Sequence, residues 1–265
     1  MFEKTRETLP AYLLSAKGSR PKVSVLSVTL FLVLWEVLPR WGFIDARYVS
    51  QPSRIVAAAA EILRKGNFLD HLYVSSLEFF VGFLLSLFIG IFLGMIIGAF
   101  RKVRYLLDPP IMALWSTPRL ALIPILIVWV GIGIESKILV VFLGAVIPII
   151  VNTAVGIREA DVSLIQAARS FCAKGRDIFI KVLLPGCLPA MMAGIRLGLG
   201  RGIMGMVVGE MYVSTKGIGN QIMFYGQSFH LDHLLVYVSL VSFFGFVLTT
   251  LVRQLESRLR RWRET

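Results

Sequence analysis

The apolar residues of this chain fall into runs near twenty long, about the length a helix needs to cross a bilayer's hydrocarbon core. That clustering predicts an all-α integral membrane protein. Composition agrees. Of 265 residues, 56% are hydrophobic and only 17% charged, and the mean hydropathy is +0.75. An average soluble domain is about a quarter charged. These values exclude a disordered chain, a coiled coil and an ordinary cytosolic enzyme.

Six spans can be read, at residues 23–38, 79–100, 105–130, 138–157, 188–212 and 233–251. The first is short and carries Glu36. The third is interrupted by Pro109, Pro110, Pro118 and Pro124, which predicts bends that neighbouring helices must satisfy. Basic residues set the orientation. With both termini inside, the inner segments 1–22, 101–104, 158–185 and 253–265 hold 18 Lys and Arg, and the outer segments hold 7. That excess predicts both ends in the cytoplasm. An uncleaved first helix is expected, because Glu36 interrupts the apolar core of a signal peptide and no small-x-small site follows it. The formal charge of +12 is attributed to anionic lipid and positive inner loops rather than to nucleic acid. Cys172 and Cys187 are both expected near the cytoplasmic side, reduced.

Between the first two spans, Ile55, Val56, Ala59, Ile62 and Leu63 share a helical face, with Gly66-Asn67 as a stop. A short surface helix is expected there. The second span carries Gly82, Ser86, Gly90, Gly94 and Gly98 at every fourth position, and the fifth carries Gly194, Gly198, Gly202, Gly205 and Gly209. Small residues let helices approach closely in lipid. Packing within one subunit and a seam between subunits both remain open for these stripes.

The inner loop over residues 158–185 holds an amphipathic helix with Leu164, Ile165, Ala168 and Phe171 on one face and Gln166, Arg169 and Ser170 away from it. Such a helix either docks a soluble partner in a groove or lies on the lipid surface. The order Gln166-Ala167-Ala168, Cys172, then Val182-Leu183-Leu184-Pro185 resembles the EAA loop of ABC-importer permeases (Glu-Ala-Ala, three residues, Gly, nine residues, Ile, one residue, Leu-Pro). Gln166 replaces the Glu and Cys172 the Gly. Cysteine adopts positive φ less cheaply than glycine, which bears on the turn there. The likeness continues through Thr117-Pro118-Arg119-Leu120-Ala121-Leu122-Ile123-Pro124 and Trp129-Val130-Gly131-Ile132-Gly133. It extends to Pro148 with Asn152-Thr153-Ala154-Val155-Gly156, to Gly194 to Leu197 and Val208-Gly209-Glu210-Met211, and to Lys216-Gly217-Ile218-Gly219. These blocks are similar to nitrate/sulfonate/taurine-type permeases over about residues 50–252.

The resemblance implies a type I, MetI-like importer permease fold with six transmembrane helices. It divides the chain into an N-terminal tail, first helix and outer-surface helix (1–71), a permease domain (72–252) and a basic cytoplasmic tail (253–265). It implies a multi-pass subunit of a bacterial inner membrane that carries a small, anionic solute. It also implies a second permease copy, a cytoplasmic ATPase dimer that uses ATP and Mg, and an extracytoplasmic substrate-binding protein. Leu164, Gln166, Ala167, Ala168, Phe171, Cys172, Lys174, Val182, Leu184 and Pro185 are then the ATPase-coupling residues. The chain itself is expected to bind no cofactor or metal, to contact lipid and no nucleic acid, and to catalyse no reaction. It has no G-x-x-x-x-G-K-[ST] loop, and His71, His230 and His233 are not spaced as ligands. The alternative is a stand-alone ion-coupled carrier or channel.

Charges inside spans are costly and point to function. Arg119 and Arg201 are candidates for an anion path, with Trp115 and Glu210 beside them. The competing reading is an internal ion pair with Glu36, Asp108 or Glu210. Arg196 lies nearer the inner end, where it can snorkel.

Overall fold

The computed structural model describes residues 20–42, 48–64 and 67–264. Within them the chain forms eleven α-helices: α1 (Arg20–Arg40), α2 (Pro52–Arg64), α3 (Phe68–Ala99), α4 (Arg101–Ser116), α5 (Ile123–Val130), α6 (Ile134–Arg158), α7 (Val162–Ser170), α8 (Gly175–Ile178), α9 (Leu184–Val213), α10 (Ile218–Gln227) and α11 (Leu231–Glu264). Four segments among the described residues are long and apolar enough to cross a membrane: Phe68–Ala99, Ile134–Arg158, Gly175–Val213 and Leu231–Arg258. The third predicted span is not one helix. It divides into α4, a 3-10 turn over Arg119–Leu122, and α5. The break falls at Thr117, which is extended (φ −70°, ψ 129°) because the ring of Pro118 disfavours helical geometry in the residue before it. Pro109 and Pro110 sit inside α4 without ending it.

α6 is the central helix, and both glycine stripes close on it. On the α3 side, a Cβ at Gly90 would stand 2.8 Å from Ile149 Cγ2, and one at Gly94 would stand 2.6 Å from Thr153 Cβ. On the α9 side, a Cβ at Gly194 would stand 2.7 Å from Asn152 Cβ, and one at Gly205 would stand 3.0 Å from the Val140 carbonyl. The stripes are therefore packing faces within one chain. Lipid supplies no hydrophobic push between helices, so this close backbone approach holds the three together. Ser86 adds a polar tie, donating to the Gly82 carbonyl at 2.7 Å and the Phe142 carbonyl at 3.0 Å. Phe79, Phe83, Val141, Ala145, Ile149, Leu199, Ile203 and Met206 fill the space among α3, α6 and α9.

α2 is the expected surface helix, but its buried side differs in detail. Ala58 and Ile62 are buried, whereas Val56 and Leu63 are exposed. The helix is tied to the start of α11 by Arg54–Asp232 at 2.8 Å and by His233 near Glu61 at 3.3 Å. It is tied to α1 by Glu36, which accepts from the Ser53 amide at 3.0 Å and the Ser53 hydroxyl at 2.7 Å. The acid that interrupts the first apolar run thus receives the N-terminus of the next helix. Gly66, expected to stop α2, lies outside the described residues.

Candidate transport and coupling site

At one end of the bundle, α6 and α9 are joined by the α7 segment. Asp161 caps α7, accepting from the Ser163 amide at 2.8 Å and the Ser163 hydroxyl at 2.7 Å. Those bonds hold its carboxyl below the usual carboxylate range. The other end closes as a Schellman turn. The Ala173 amide donates to the Ala168 carbonyl at 3.1 Å and the Cys172 amide to the Arg169 carbonyl at 2.9 Å. Cys172 occupies the left-handed position with φ +56°, where a glycine is the unstrained choice. The cysteine therefore keeps the turn geometry of a glycine at a conformational cost.

α7 stands clear of the bundle. Only Ile165 and Ala168 are half-buried, and Leu164, Gln166, Ala167, Phe171, Cys172 and Lys174 are exposed. The Phe171 ring is 87% exposed, the highest value among the large apolar side chains of the described residues, so α7 presents an uncovered apolar face. Downstream come α8 and a π-helical turn over Phe179–Leu183, which runs without a break into α9 at Leu184. Val182 and Leu184 are half-buried at this joint and Pro185 is exposed on the first turn of α9. Cys187 is buried against Ile157 and Met191.

The two arginines of α9 have different surroundings. Arg196 pairs with Glu256 of α11, so an ion pair rather than snorkelling holds it. Arg201 lies with its guanidinium 4.6 Å from the ring centroid of Trp115 on α4. No carboxylate pairs with Arg201 among the described residues. It borders a face of α9 on which Leu197 and Met204 are exposed and a Cβ at Gly200 would meet nothing within 4 Å. Two of the three acids named as partners are engaged elsewhere, Glu36 with Arg40 and Ser53 and Glu210 with Ser75 and Gly219, and Asp108 makes no ion pair with Arg201 among the described residues. The backbone of Arg119 lies in the 3-10 turn, and its side chain lies outside the described residues.

Glu210 sits at the far end, where the chain leaves α9 and enters α10. It is fully buried and accepts from the Ser75 hydroxyl at 2.5 Å and the Gly219 amide at 2.6 Å. Ser75 accepts from the Ile218 amide at 2.8 Å, and His71 Nδ1 accepts from the Gly217 amide at 3.0 Å. Lys137 of α6 pairs with buried Glu78 of α3 and donates to Ser214 at 3.1 Å. The Lys216-Gly217-Ile218-Gly219 block is thus a turn, with Gly217 at φ +114° and no room for a Cβ at Gly219, which would lie 2.2 Å from the Val207 carbonyl. Sequence reasoning missed Glu78, Lys137, Ser75 and His71. Glu78 and Lys137 each stand at a rim of an apolar run, where a charge reads as a loop end.

Residues 86–261 match the family model described as the binding-protein-dependent transport system inner membrane component. The chain belongs to that family. Other permeases are similar over nearly their whole length. The Escherichia coli protein named for aliphatic sulfonates transport, SsuC, is 37% identical over 87% of this chain and 88% of its own. Its Bacillus subtilis namesake is 33% identical over 91% and 87%. The Escherichia coli taurine transport system permease protein TauC is 28% identical over 91% and 89%. In structure, the permease resembles a chain of the inward-facing MetNI methionine ABC transporter, with a TM-score of 0.57, 21% identity, and coverage of 73% of this chain and 94% of that one. That likeness establishes the MetI-like fold. The permease is accordingly a multi-pass membrane protein of the nitrate/sulfonate/taurine type, and its named relatives are transport proteins, not enzymes.

Proposed function

We propose that this permease forms the translocation path of an ATP-driven importer for a small anion of the sulfonate or taurine class. It spans a bacterial inner membrane six times with both termini in the cytoplasm. α1 and the α4–α5 pair make the two passes beyond the four long helices. Two copies enclose the path, an extracytoplasmic binding protein delivers the solute, and a cytoplasmic ATPase pair holds ATP and Mg. α7 seats in a cleft of each ATPase subunit through Leu164, Gln166, Ala167, Phe171, Cys172 and Lys174, with Ala168 half-buried behind them and Val182, Leu184 and Pro185 forming the joint.

The observation that carries this reading is the standing of α7. It is capped at both ends, presents an apolar face to the outside, and is joined by the short turn over residues 171–174 to α8, which runs through the turn at Phe179–Leu183 into α9. Helix α9 also bears Arg201. Movement imposed on α7 by an ATPase is thereby delivered to the helix that meets the solute. Arg201 carries the anion-path role, with Trp115 beneath it and Arg119 as the second candidate. An unpaired guanidinium at membrane depth is costly unless an anion or a cavity accepts it. Glu210 serves the turn after α9 instead.

The deciding experiment is copurification and uptake in proteoliposomes. The permease should retain an ATPase, and uptake should stop when that ATPase cannot hydrolyse ATP. Unchanged uptake without the ATPase would establish a stand-alone carrier or channel.

A further inference from the structure

The Glu78, Lys137 and Glu210 side chains form a buried group whose charges do not balance. Glu78 and Glu210 are both 0% exposed and Lys137 is 6% exposed. Ser75 stands one helical turn before Glu78 on α3 and donates to Glu210, so the two acids share one site. The surrounding groups supply little compensation. His71 accepts through Nδ1 and is neutral in that bond, and the Lys216 residue is exposed. The N-terminus of α10 offsets part of one charge through the Gly219 amide. Lys137 is the one buried ammonium among the described residues here, and it is in ion-pair contact with Glu78. Lys137 is the one donor that the hydrogen bonds and ion pairs of the described residues give Glu78. A second ionised carboxylate buried without a cation is far costlier than a neutral carboxyl.

We infer that Glu78 and Glu210 together bind one proton from the adjacent water, and that this proton holds the Lys216–Gly219 turn against α3. Coupled acids at this proximity titrate as a pair, so the proton belongs to both. With it bound, one negative charge faces one ammonium, and Glu210 keeps its bonds to Ser75 and Gly219. Its release leaves two carboxylates facing Lys137 alone, and their repulsion separates the α9–α10 turn from Ser75. The turn joins α9 to α10, so proton occupancy sets how firmly that end of the bundle is closed. This inference concerns the chain by itself and stands apart from the importer reading.

Two measurements on the full-length chain in lipid nanodiscs test it. Infrared spectroscopy at neutral pH should show a protonated-carboxyl stretch that disappears in Glu78→Gln or in Glu210→Gln. Either variant suffices if the other does not assemble. Absence of the band in the parent, or its persistence in both variants, overturns the proposal. The second measurement places a reporter thiol by Lys216→Cys in a background with Cys172→Ser. The maleimide labelling rate, divided by that of the same reporter in Glu78→Gln, should rise several-fold from neutral to alkaline pH. A ratio that stays flat overturns the link between the proton and the turn.

Discussion

The guanidinium of Arg201 lies over the face of the Trp115 indole, 4.6 Å from its centroid, and so joins α9 to α4 without an acidic partner among the described residues. Five residues earlier on the same helix, Arg196 is neutralised by Glu256. One arginine is therefore engaged with a carboxylate and the other is held by a contact that leaves its N–H groups available. A cation–π contact is worth roughly 0.5–2 kcal/mol, less than a desolvated charge-assisted bond to an anion.

Arg201→Gln should reduce uptake of an anionic solute by about 10- to 100-fold, the value of one charge-assisted hydrogen bond of roughly 1.5–3 kcal/mol. Arg201→Lys should recover part of it, because a lysine keeps the charge and loses the planar stack. Proteoliposome uptake, read beside the ATPase rate, separates this from a coupling defect. Uptake that stays at the parental level in Arg201→Gln removes Arg201 from the path.

Phe171→Asp should weaken association with the ATPase by about 2 kcal/mol or more, the scale of an apolar anchor at an interface. The ring is exposed, so the fold of the permease should survive. Pull-down yield against the melting temperature of the isolated permease checks both halves.

Cys172→Gly should stabilise the α7 segment by about 1 kcal/mol, since a non-glycine residue at φ +56° carries roughly that penalty. Cys172→Val should do the reverse, because a β-branched residue tolerates that φ poorly. Amide exchange over residues 162–173 reads the difference locally.

Gly94→Val should fail to assemble, because even its Cβ meets Thr153 and the Ile150 carbonyl at 2.6 and 2.8 Å. Gly219→Ala should disrupt the turn for the same reason, against the Val207 carbonyl. Gly200→Ala should be neutral, since its Cβ meets nothing within 4 Å. Expression and thermal stability in detergent discriminate the three.

The cap on α7 should be pH-dependent in a stated direction. The Asp161 carboxyl is held below its ordinary range by its bonds from Ser163, so ionisation favours the capped helix. That contribution is present in full above the ordinary carboxylate range and is lost as pH falls through the lowered value. Protection of the Ser163 amide should fall on acidification, and Asp161→Asn should flatten the profile.

The long spans and the small-residue stripes were legible because period and length are local properties. The partner of each stripe was not. Gly90 and Gly194 read alike in sequence, yet they close on neighbouring faces of α6, Gly90 on Val146 and Ile149 and Gly194 on Pro148 and Asn152. The α7 helix was legible from its periodicity, but its outward face was not. Leu164 and Phe171 were expected on the same face as Ile165 and Ala168, and only the latter two are half-buried. The Glu78–Lys137 pair was invisible because it forms between α3 and α6, 59 positions apart, and each charge alone resembles a span terminus. Arg201 stood out in sequence as a charge within a span, but its aromatic neighbour depends on where α4 stops at Thr117.

The interlocking of α3, α6 and α9 has a mechanical consequence. A stack whose neighbours touch backbone to side chain has no compressible layer, so it passes a push along rather than absorbing it. Flexure is left to the seams of the chain, at the π-helical turn below α9 and the kink between α4 and α5. A helix set in motion at one end of such a slab carries its two neighbours with it.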